Sequence, residues 1–227
     1  MELMTRYIIG DTETTGLGKD KAACEIGLIE IDPETMEILG EVGSTLNPEM
    51  PISADASAIH GITDEEAAKH PTMAEFIADK LHGGLDGEIV LLGYHVAFDR
   101  PLLEPIGNIV KDWDLLPLAQ QLVRDTTNHK LQTLKEHFSL EGGAAHRALG
   151  DCHTTLQLLR VLVPLSGRSL VNHCATKFQF TMTMPWGKHS GIALSDVPKS
   201  YRKWMLEKCE TLDNNLRASL EMLAKTE

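Results

Sequence analysis

A run of four apolar residues at positions 89–92, Ile-Val-Leu-Leu, most strongly constrains how this 227-residue chain folds. A strand buried on both faces of a sheet has such a continuous apolar sequence, because neither face meets water. Helices must then cover both faces, so the run predicts an α/β fold with helices on either side of a sheet.

Further strands and helices alternate around this run. The sequence predicts a strand at 7–10, a hairpin of strands at 24–31 and 37–46, and helices at 73–81, 115–123, 131–138 and 148–163. Thr72 is the predicted N-cap of the first of these helices. We therefore expect residues 1–164 to form one α/β domain with a mixed sheet.

The domain is predicted to end at Pro164, Ser166 and Gly167, and residues 165–227 to form a small appendage with helices at 198–208 and 212–225. The net charge of −12 argues mildly against a nucleic-acid partner. However, residues 1–164 carry 12 Lys and Arg against 27 Asp and Glu, whereas residues 165–227 carry 9 against 6. The acidity is confined to the first domain, where part of it is expected to form a metal site.

The C-terminal segment mixes aromatic side chains with cations, as grooves for single-stranded nucleic acids do. Two interpretations stay open for it. Contact with a nucleic acid is favoured for Lys188, whereas burial in a small cap against the main domain is favoured for Trp204. The segment is also a candidate docking site for a protein partner.

The cysteines indicate the compartment. Cys24, Cys152, Cys174 and Cys209 are widely spaced and form no Cys-x-x-Cys pair, so free thiols in a reducing environment are expected. The sequence has no signal-peptide pattern and no stretch approaching 18 apolar residues. We expect a soluble, cytoplasmic protein without a membrane partner.

Two carboxylates, Asp11 and Glu13, directly follow the first predicted strand. Residues two apart on a strand point to the same face, so these side chains would lie side by side. Like charges about 4 Å apart repel by roughly 4 kcal/mol at an effective dielectric constant of 20, so the pair is costly unless a cation separates them. On this segment alone, a metal site and a solvated strand end are equally good interpretations.

Later segments add two acids and a histidine. Asp99 follows the buried strand, where open α/β sheets place ligand groups, although an Asp there is also a common helix N-cap. His146 and Asp151 stand at the start of the strongest predicted helix. On a regular helix they would lie about 140° apart, so both serve one site only if His146 belongs to the loop before the helix.

Together these residues are the components of two-metal phosphodiester hydrolysis. Carboxylate ligands favour Mg²⁺ or Mn²⁺ over Zn²⁺, and the ten histidines form no pair with the spacing of a zinc site. The sequence has neither a P-loop nor a Gly-x-Ser-x-Gly elbow, so nucleotide hydrolysis by a P-loop and serine-based hydrolysis are unsupported.

The chain resembles the DEDDh, or DnaQ-like, 3′–5′ exonucleases in three motifs that stand in the family's order: Asp11-Thr-Glu-Thr-Thr-Gly, Phe98-Asp99 and His146-x₄-Asp151. The segment from Ile59 to Thr63 is similar to a His-Gly-Ile-Thr segment common between the first two motifs of that family. The resemblance implies a ribonuclease H-like fold for about residues 5–163. It departs from the family at Tyr94 and His95, where His-Asn is usual.

The resemblance also implies roles for individual residues. Two Mg²⁺ ions, replaceable by Mn²⁺, would be held by Asp11, Glu13, Asp99 and Asp151, and His146 would be the general base. Contacts with the terminal nucleotides of the substrate are implied for Thr15, Ile59, His60 and Phe98. Core packing for Phe98 and turn stabilisation for His60 remain open alternatives.

The expected activity is removal of 5′-mononucleotides from DNA 3′ ends, preferably single-stranded ones, in DNA repair or recombination. One alternative is a relative that trims RNA or degrades oligoribonucleotides with the same site. Another is a polymerase-associated proofreading or binding subunit whose tail docks a partner. The residues do not reveal whether a 2′-OH is accepted, so the first alternative stays open here.

Overall fold

A computed structural model describes residues 4–175, 183–209, 212 and 214–226. Its centre is one five-stranded sheet, formed by β1 (Thr5–Thr14), β2 (Ala23–Ile31), β3 (Ile38–Thr45), β4 (Leu85–Gly93) and β5 (Gly107–Asp114). The strand order is β3-β2-β1-β4-β5. β1 pairs antiparallel with β2 and parallel with β4, which confirms the predicted mixed sheet.

Helices pack on the sheet from both sides. The main domain contains α1 (Ala54–His60), α2 (Asp64–Ala67), α3 (Met73–Lys80), α4 (Arg100–Leu103), a 3₁₀ turn (Glu104–Ile106), α5 (Leu115–Leu122), α6 (Leu131–His137) and α7 (Ala148–Leu165). Along β4, Ile89 and Leu91 belong to one apolar core, whereas Val90 and Leu92 belong to the other. The prediction of a strand buried on both faces is therefore confirmed.

Several elements differ from the sequence-based expectation. β1 continues through Thr14, so the first acidic motif lies within the strand. β5 was not predicted, because Trp113 is its only buried residue and it carries charged residues at an edge of the sheet. Pro164 lies inside the last turn of α7, which ends at Leu165 and therefore runs past the predicted end at residue 163. The N-cap at Thr72 is confirmed, since Thr72 and Glu75 form a reciprocal capping box.

The approach of α7 to the sheet depends on Gly27 in β2. A Cβ atom at this position would lie 2.4 Å from the backbone nitrogen of Leu149. The Sγ atom of Cys152, one turn further along α7, lies 3.3 Å from the carbonyl oxygen of Gly27. This close contact sets the first turn of α7 against the strands that carry the acidic motif.

The C-terminal segment has its own apolar cluster, which includes Met184, Leu194, Val197, Met205 and Leu216. Its helices are α8 (Leu170–Cys174), α9 (Lys199–Lys208) and α10 (Asn214–Thr226). The last two are close to the helices predicted for this region, whereas α8 was not predicted. The side chain of Trp204 is 49% exposed, so the expectation of its burial in a cap is wrong. None of the helices in the described ranges is long and apolar enough to cross a membrane.

The role of Gly27 is testable by adding one methyl group. Gly27→Ala is expected to lower the free energy of unfolding by about 1–3 kcal/mol, because the backbone of α7 must move away from β2. Gly40→Ala in β3 is the matched control, since an added Cβ there meets no atom within 4 Å. The free energies of unfolding are measured by urea denaturation. Equal losses for the two variants would contradict this role of Gly27.

Candidate active site

Asp11 and Glu13 lie on one face of β1 near its carboxyl end, and both are half-buried. The side chains of Thr12 and Thr14 alternate with them and are buried. The strand thus presents two carboxylates side by side, as the spacing predicts. The end of β1 is also where the loop after the neighbouring strand β4 brings in a third acid.

That third acid is Asp99, which occupies the N-cap position of α4 but whose side chain makes no capping hydrogen bond. Instead, the backbone N–H of Thr12 and its hydroxyl both donate to Oδ1 of Asp99, at 3.0 and 2.6 Å. The carboxylate is therefore tied to β1 and not to its own helix. This geometry favours the site over the N-cap interpretation of Asp99.

His146 lies in the loop before α7, as required if it and Asp151 are to serve one site. Its backbone is in the left-handed region, with φ of 57°, and its N–H donates to Oδ2 of Asp151 at 3.1 Å. The side-chain amide of Gln132 donates to Oδ1 of Asp151 at 2.7 Å. Ligand atoms of Glu13, His146 and Asp151 all lie within 4.8 Å of one another, a candidate metal-binding group among the described residues.

Burial and mutual repulsion shape the electrostatics of this cluster. Burial, followed by the charges of Asp99, Asp151, Glu13 and Glu25, raises the pKa of Asp11 well above its ordinary value. Burial, followed by the charges of Asp151, Glu25 and Asp99, raises the pKa of Glu13 to about 7. Burial raises the pKa of Asp99 to about 6 against the opposing hydrogen bonds from Thr12. Without a cation, the cluster therefore retains protons near neutral pH.

These donors fit a divalent cation. Carboxylate oxygens are the ligands that Mg²⁺ and Mn²⁺ prefer, and a cation at the cluster would relieve the repulsion that raises the carboxyl pKa values. The acids converge from β1, from the loop after β4 and from α7. A mixed sheet that gathers carboxylates beside a histidine is the arrangement expected of a metal-dependent nuclease.

Two of the predicted substrate residues are already engaged within the protein. The hydroxyl of Thr15, a buried residue, accepts from the backbone N–H of Ala22 and contacts the sulfur of Met50. The ring of His60 is buried, with Nδ1 accepting from the N–H of Ile62 and Nε2 3.3 Å from the carbonyl oxygen of Thr14. The contacts of His60 support the turn-stabilising alternative.

The other predicted substrate residues are more accessible. The side chain of Ile59 is 59% exposed, and Lys188 is exposed in the C-terminal segment. Phe98 is half-buried, and Lys21 lies over its ring and donates to its carbonyl oxygen at 3.1 Å. These positions leave Ile59, Phe98 and Lys188 as candidates for substrate contact.

Sequence reasoning missed four residues that touch the site: Lys21, Glu25, Gln132 and Arg147. A signal existed for Glu25, because a charged residue interrupts an otherwise almost wholly apolar strand that proves to be buried. Arg147 adjoins His146 in the third motif, but its partner lies 122 positions away. No local pattern singles out Gln132 or Lys21.

Comparison with known proteins agrees with the assignment of this chain as a nuclease. The model of the RNase_T exonuclease family matches residues 8–159, so the chain belongs to this exonuclease family. The expected resemblance to DnaQ-like 3′–5′ exonucleases is thereby confirmed. A second family model, described as a putative quorum-sensing-regulated virulence factor, matches residues 177–223.

Individual relatives cover the chain to different extents. Exodeoxyribonuclease 10 of Escherichia coli K12 is 27% identical over 224 residues, which cover 93% of this chain and 95% of that protein. The PolC-type DNA polymerase III of Oceanobacillus iheyensis is 30% identical over 178 residues, or 74% of this chain. The matched part is only 12% of that polymerase, so the chain corresponds to a small portion of it.

Solved structures show the same fold. The structure of exonuclease X in complex with 5′ overhanging duplex DNA has a TM-score of 0.60 and 25% identity, and the match covers 74% of this chain and 97% of that one. E. coli exonuclease I in complex with a dT13 oligonucleotide has a TM-score of 0.55 and 20% identity, covering 72% of this chain and 43% of the other. The second likeness concerns the fold alone.

The raised carboxyl pKa values predict a pH-dependent loss of stability in EDTA. The folded state holds protons that the unfolded state has released, so stability falls as pH rises from about 4.5 towards 7 and above. Glu13→Gln removes the repelled carboxylate charge of this residue. The variant should therefore be more stable than wild type at pH 8 by about 1–2 kcal/mol, a figure that allows for solvent screening. Near pH 4 the two proteins should be equally stable.

Thermal unfolding in EDTA at pH 4 and pH 8 tests this linkage. The exposed Glu34→Gln is the control and should match wild type at both pH values. Millimolar Mn²⁺ should raise the melting temperature of wild type at pH 8 by more than that of Glu13→Gln, which loses one ligand of one proposed ion. Equal melting of the wild-type protein with EDTA and with Mn²⁺ would contradict the metal-site assignment.

Proposed function

We propose that this exonuclease hydrolyses DNA from the 3′ end and releases 5′-mononucleotides, with two divalent cations, Mg²⁺ or Mn²⁺, as cofactors. The observation that carries the proposal is the convergence of four carboxylates with His146 at the end of β1. Similarity to exodeoxyribonuclease 10 over 95% of its length supports DNA as the substrate.

The metal ligands follow from this arrangement. Asp11, Glu13 and Asp151 would hold one ion, and Asp11 with Asp99 would hold the second. Bound ions would lower the pKa of the attacking water and offset the charge on the scissile phosphate. The hydrogen bonds from Thr12 to Asp99 and from Gln132 to Asp151 keep these carboxylates oriented towards the ligand set.

His146 is the proposed general base. Its imidazole lies within 4.8 Å of ligand atoms of Glu13 and Asp151, next to where a metal-activated water would be held. A ring nitrogen takes the proton of the attacking water as the new P–O bond forms. The P–O bond to the 3′-oxygen of the preceding nucleotide breaks, and that oxygen takes a proton from solvent to become the new 3′-OH. The terminal nucleotide leaves with a 5′-phosphate.

Substrate contacts are proposed for the exposed side chain of Ile59 and for Phe98 with Lys21 at the site itself. Stacking on Phe98 would be tolerant of sequence, because every base has a π-face. Lys188 and the partly exposed Trp186 offer a cation and an aromatic ring on the C-terminal segment. This combination suits single-stranded DNA.

The biological setting is inferred from the relatives and the thiols. A polymerase-associated proofreading subunit is less well supported, because the PolC-type polymerase matches cover about a tenth of those proteins and the match to an epsilon-like subunit covers 25% of it. We infer a role in DNA repair or recombination in the cytoplasm, where the buried free thiols of Cys24, Cys152 and Cys174 would stay reduced. The C-terminal segment is also the proposed surface for a protein partner.

His146→Ala tests the mechanism, because it removes the base but no proposed metal ligand. The hydrolysis rate in single turnovers at saturating Mg²⁺ should fall by roughly 10²–10⁴-fold. Affinity for single-stranded DNA and the Mn²⁺-dependent rise in melting temperature should be kept. Asp151→Asn should impair both the rate and the metal-dependent stabilisation.

His153→Ala is the matched control for that series. His153 lies on the same helix two residues beyond Asp151, but its ring pairs with Glu41 on β3, away from the site. This variant should hydrolyse a 5′-labelled DNA single strand at the wild-type rate. For wild type and His153→Ala alike, RNA of the same sequence should be a poorer substrate than the DNA. A His146→Ala enzyme within a few-fold of wild type would remove His146 from the mechanism.

Lys188→Ala tests the role of the C-terminal segment. If Lys188 contacts a phosphate, the variant should bind single-stranded DNA more weakly, and the slope of log K against log salt should fall by roughly 0.7. The rate at saturating DNA should be unchanged. Glu207→Ala, an exposed acid on α9, serves as the control, and identical salt slopes for all three proteins would contradict the contact.

A further inference from the structure

A partly buried ion pair braces the loop that carries His146. Glu25 on β2 is only 6% exposed, and its Oε1 accepts from both Nε and Nη2 of Arg147. Its Oε2 accepts from the backbone N–H of Ala148 at 2.9 Å. Both carboxylate oxygens of Glu25 are thus taken by the two residues that directly follow His146.

The loop needs such a brace. The backbone of His146 has a φ of 57°, a conformation that costs a residue with a side chain of order 1–3 kcal/mol. Arg147 is the N-cap of α7 but makes no side-chain capping bond. Glu25 satisfies the N–H of Ala148 in its place, so a residue of β2 caps a helix that begins 123 positions later.

The position of Glu25 explains why an ion pair is required. In the β1–β2 register Glu25 stands directly opposite Glu13, a proposed metal ligand. Because Arg147 and Ala148 occupy its oxygens, Glu25 is directed to the loop and not to the cation. The guanidinium also offsets a negative charge that would otherwise add to the repulsion on Glu13.

We propose that Glu25 and Arg147 act as a positioning pair for His146, fixing its imidazole beside the water that attacks the scissile phosphate. The inference rests on the proposed function, since it requires His146 to be the base. Neither residue touches the reacting atoms, and they act only through the loop. A displacement of about 1 Å in a catalytic group can reduce a rate about 10²-fold.

A double-mutant cycle with His146 tests the pair. Glu25→Gln keeps an amide oxygen for Ala148 but removes the ionic bonds to Arg147. In the wild-type background it should lower the single-turnover rate by about 10²-fold, with unchanged affinity for DNA and unchanged stabilisation by Mn²⁺. In the His146→Ala background the same change should alter the residual rate less than about twofold.

Glu30→Gln is the matched control, because Glu30 is also on β2 and pairs through both carboxylate oxygens with Arg6. It lies towards the other end of the strand, opposite Ile8, and should leave the rate unchanged in both backgrounds. Arg147→Ala provides a second probe if Glu25→Gln folds poorly, since the Arg147 side chain is 48% exposed. Arg147→Lys should restore part of the lost rate.

The outcomes separate the inference from the function on which it rests. Equal losses from Glu25→Gln, or from Arg147→Ala, with and without His146 would show a general structural or metal effect and overturn the positioning role. Wild-type rates for both variants would overturn it as well. Activity within a few-fold of wild type for His146→Ala alone would refute the proposed mechanism, and the positioning role with it.

Discussion

Repulsion among carboxylates at the end of β1 is the constraint on which the active site depends. The charges of four other acids raise the pKa of Asp11, and burial strengthens each repulsion because the local dielectric constant is low. The fold must hold these groups together against their charges. The two apolar cores on either side of the sheet provide that framework, and the proposed divalent cations would offset the remaining repulsion.

The docking of α7 on β2 is the main device that brings distant motifs together. The absence of a side chain at Gly27 lets the first turn of α7 approach the sheet, which places Asp151 beside Glu13. The same approach brings Arg147 to Glu25. One close backbone contact thus serves both the metal ligands and the loop of the proposed base.

Much of this arrangement could be predicted from local patterns. Strand alternation placed Asp11 and Glu13 on one face, and the apolar run at 89–92 indicated a sheet covered on both sides. The edge strand β5 was missed, since only Trp113 of its eight residues is buried and the segment lacks an apolar face. The Glu25–Arg147 pair was also missed, because a contact across 122 positions exists only after α7 has docked.

The most direct test of the account is anomalous diffraction from crystals grown with Mn²⁺ and a 5′-mononucleotide. The account predicts two manganese peaks per chain at the end of β1, both contacted by Asp11 and one of them also by Glu13 and Asp151, with the phosphate between the ions. His146 should stand beside that phosphate. A cluster without manganese, or a single ion bound elsewhere on the chain, would contradict the central claim that these carboxylates are assembled to hold metal ions for hydrolysis.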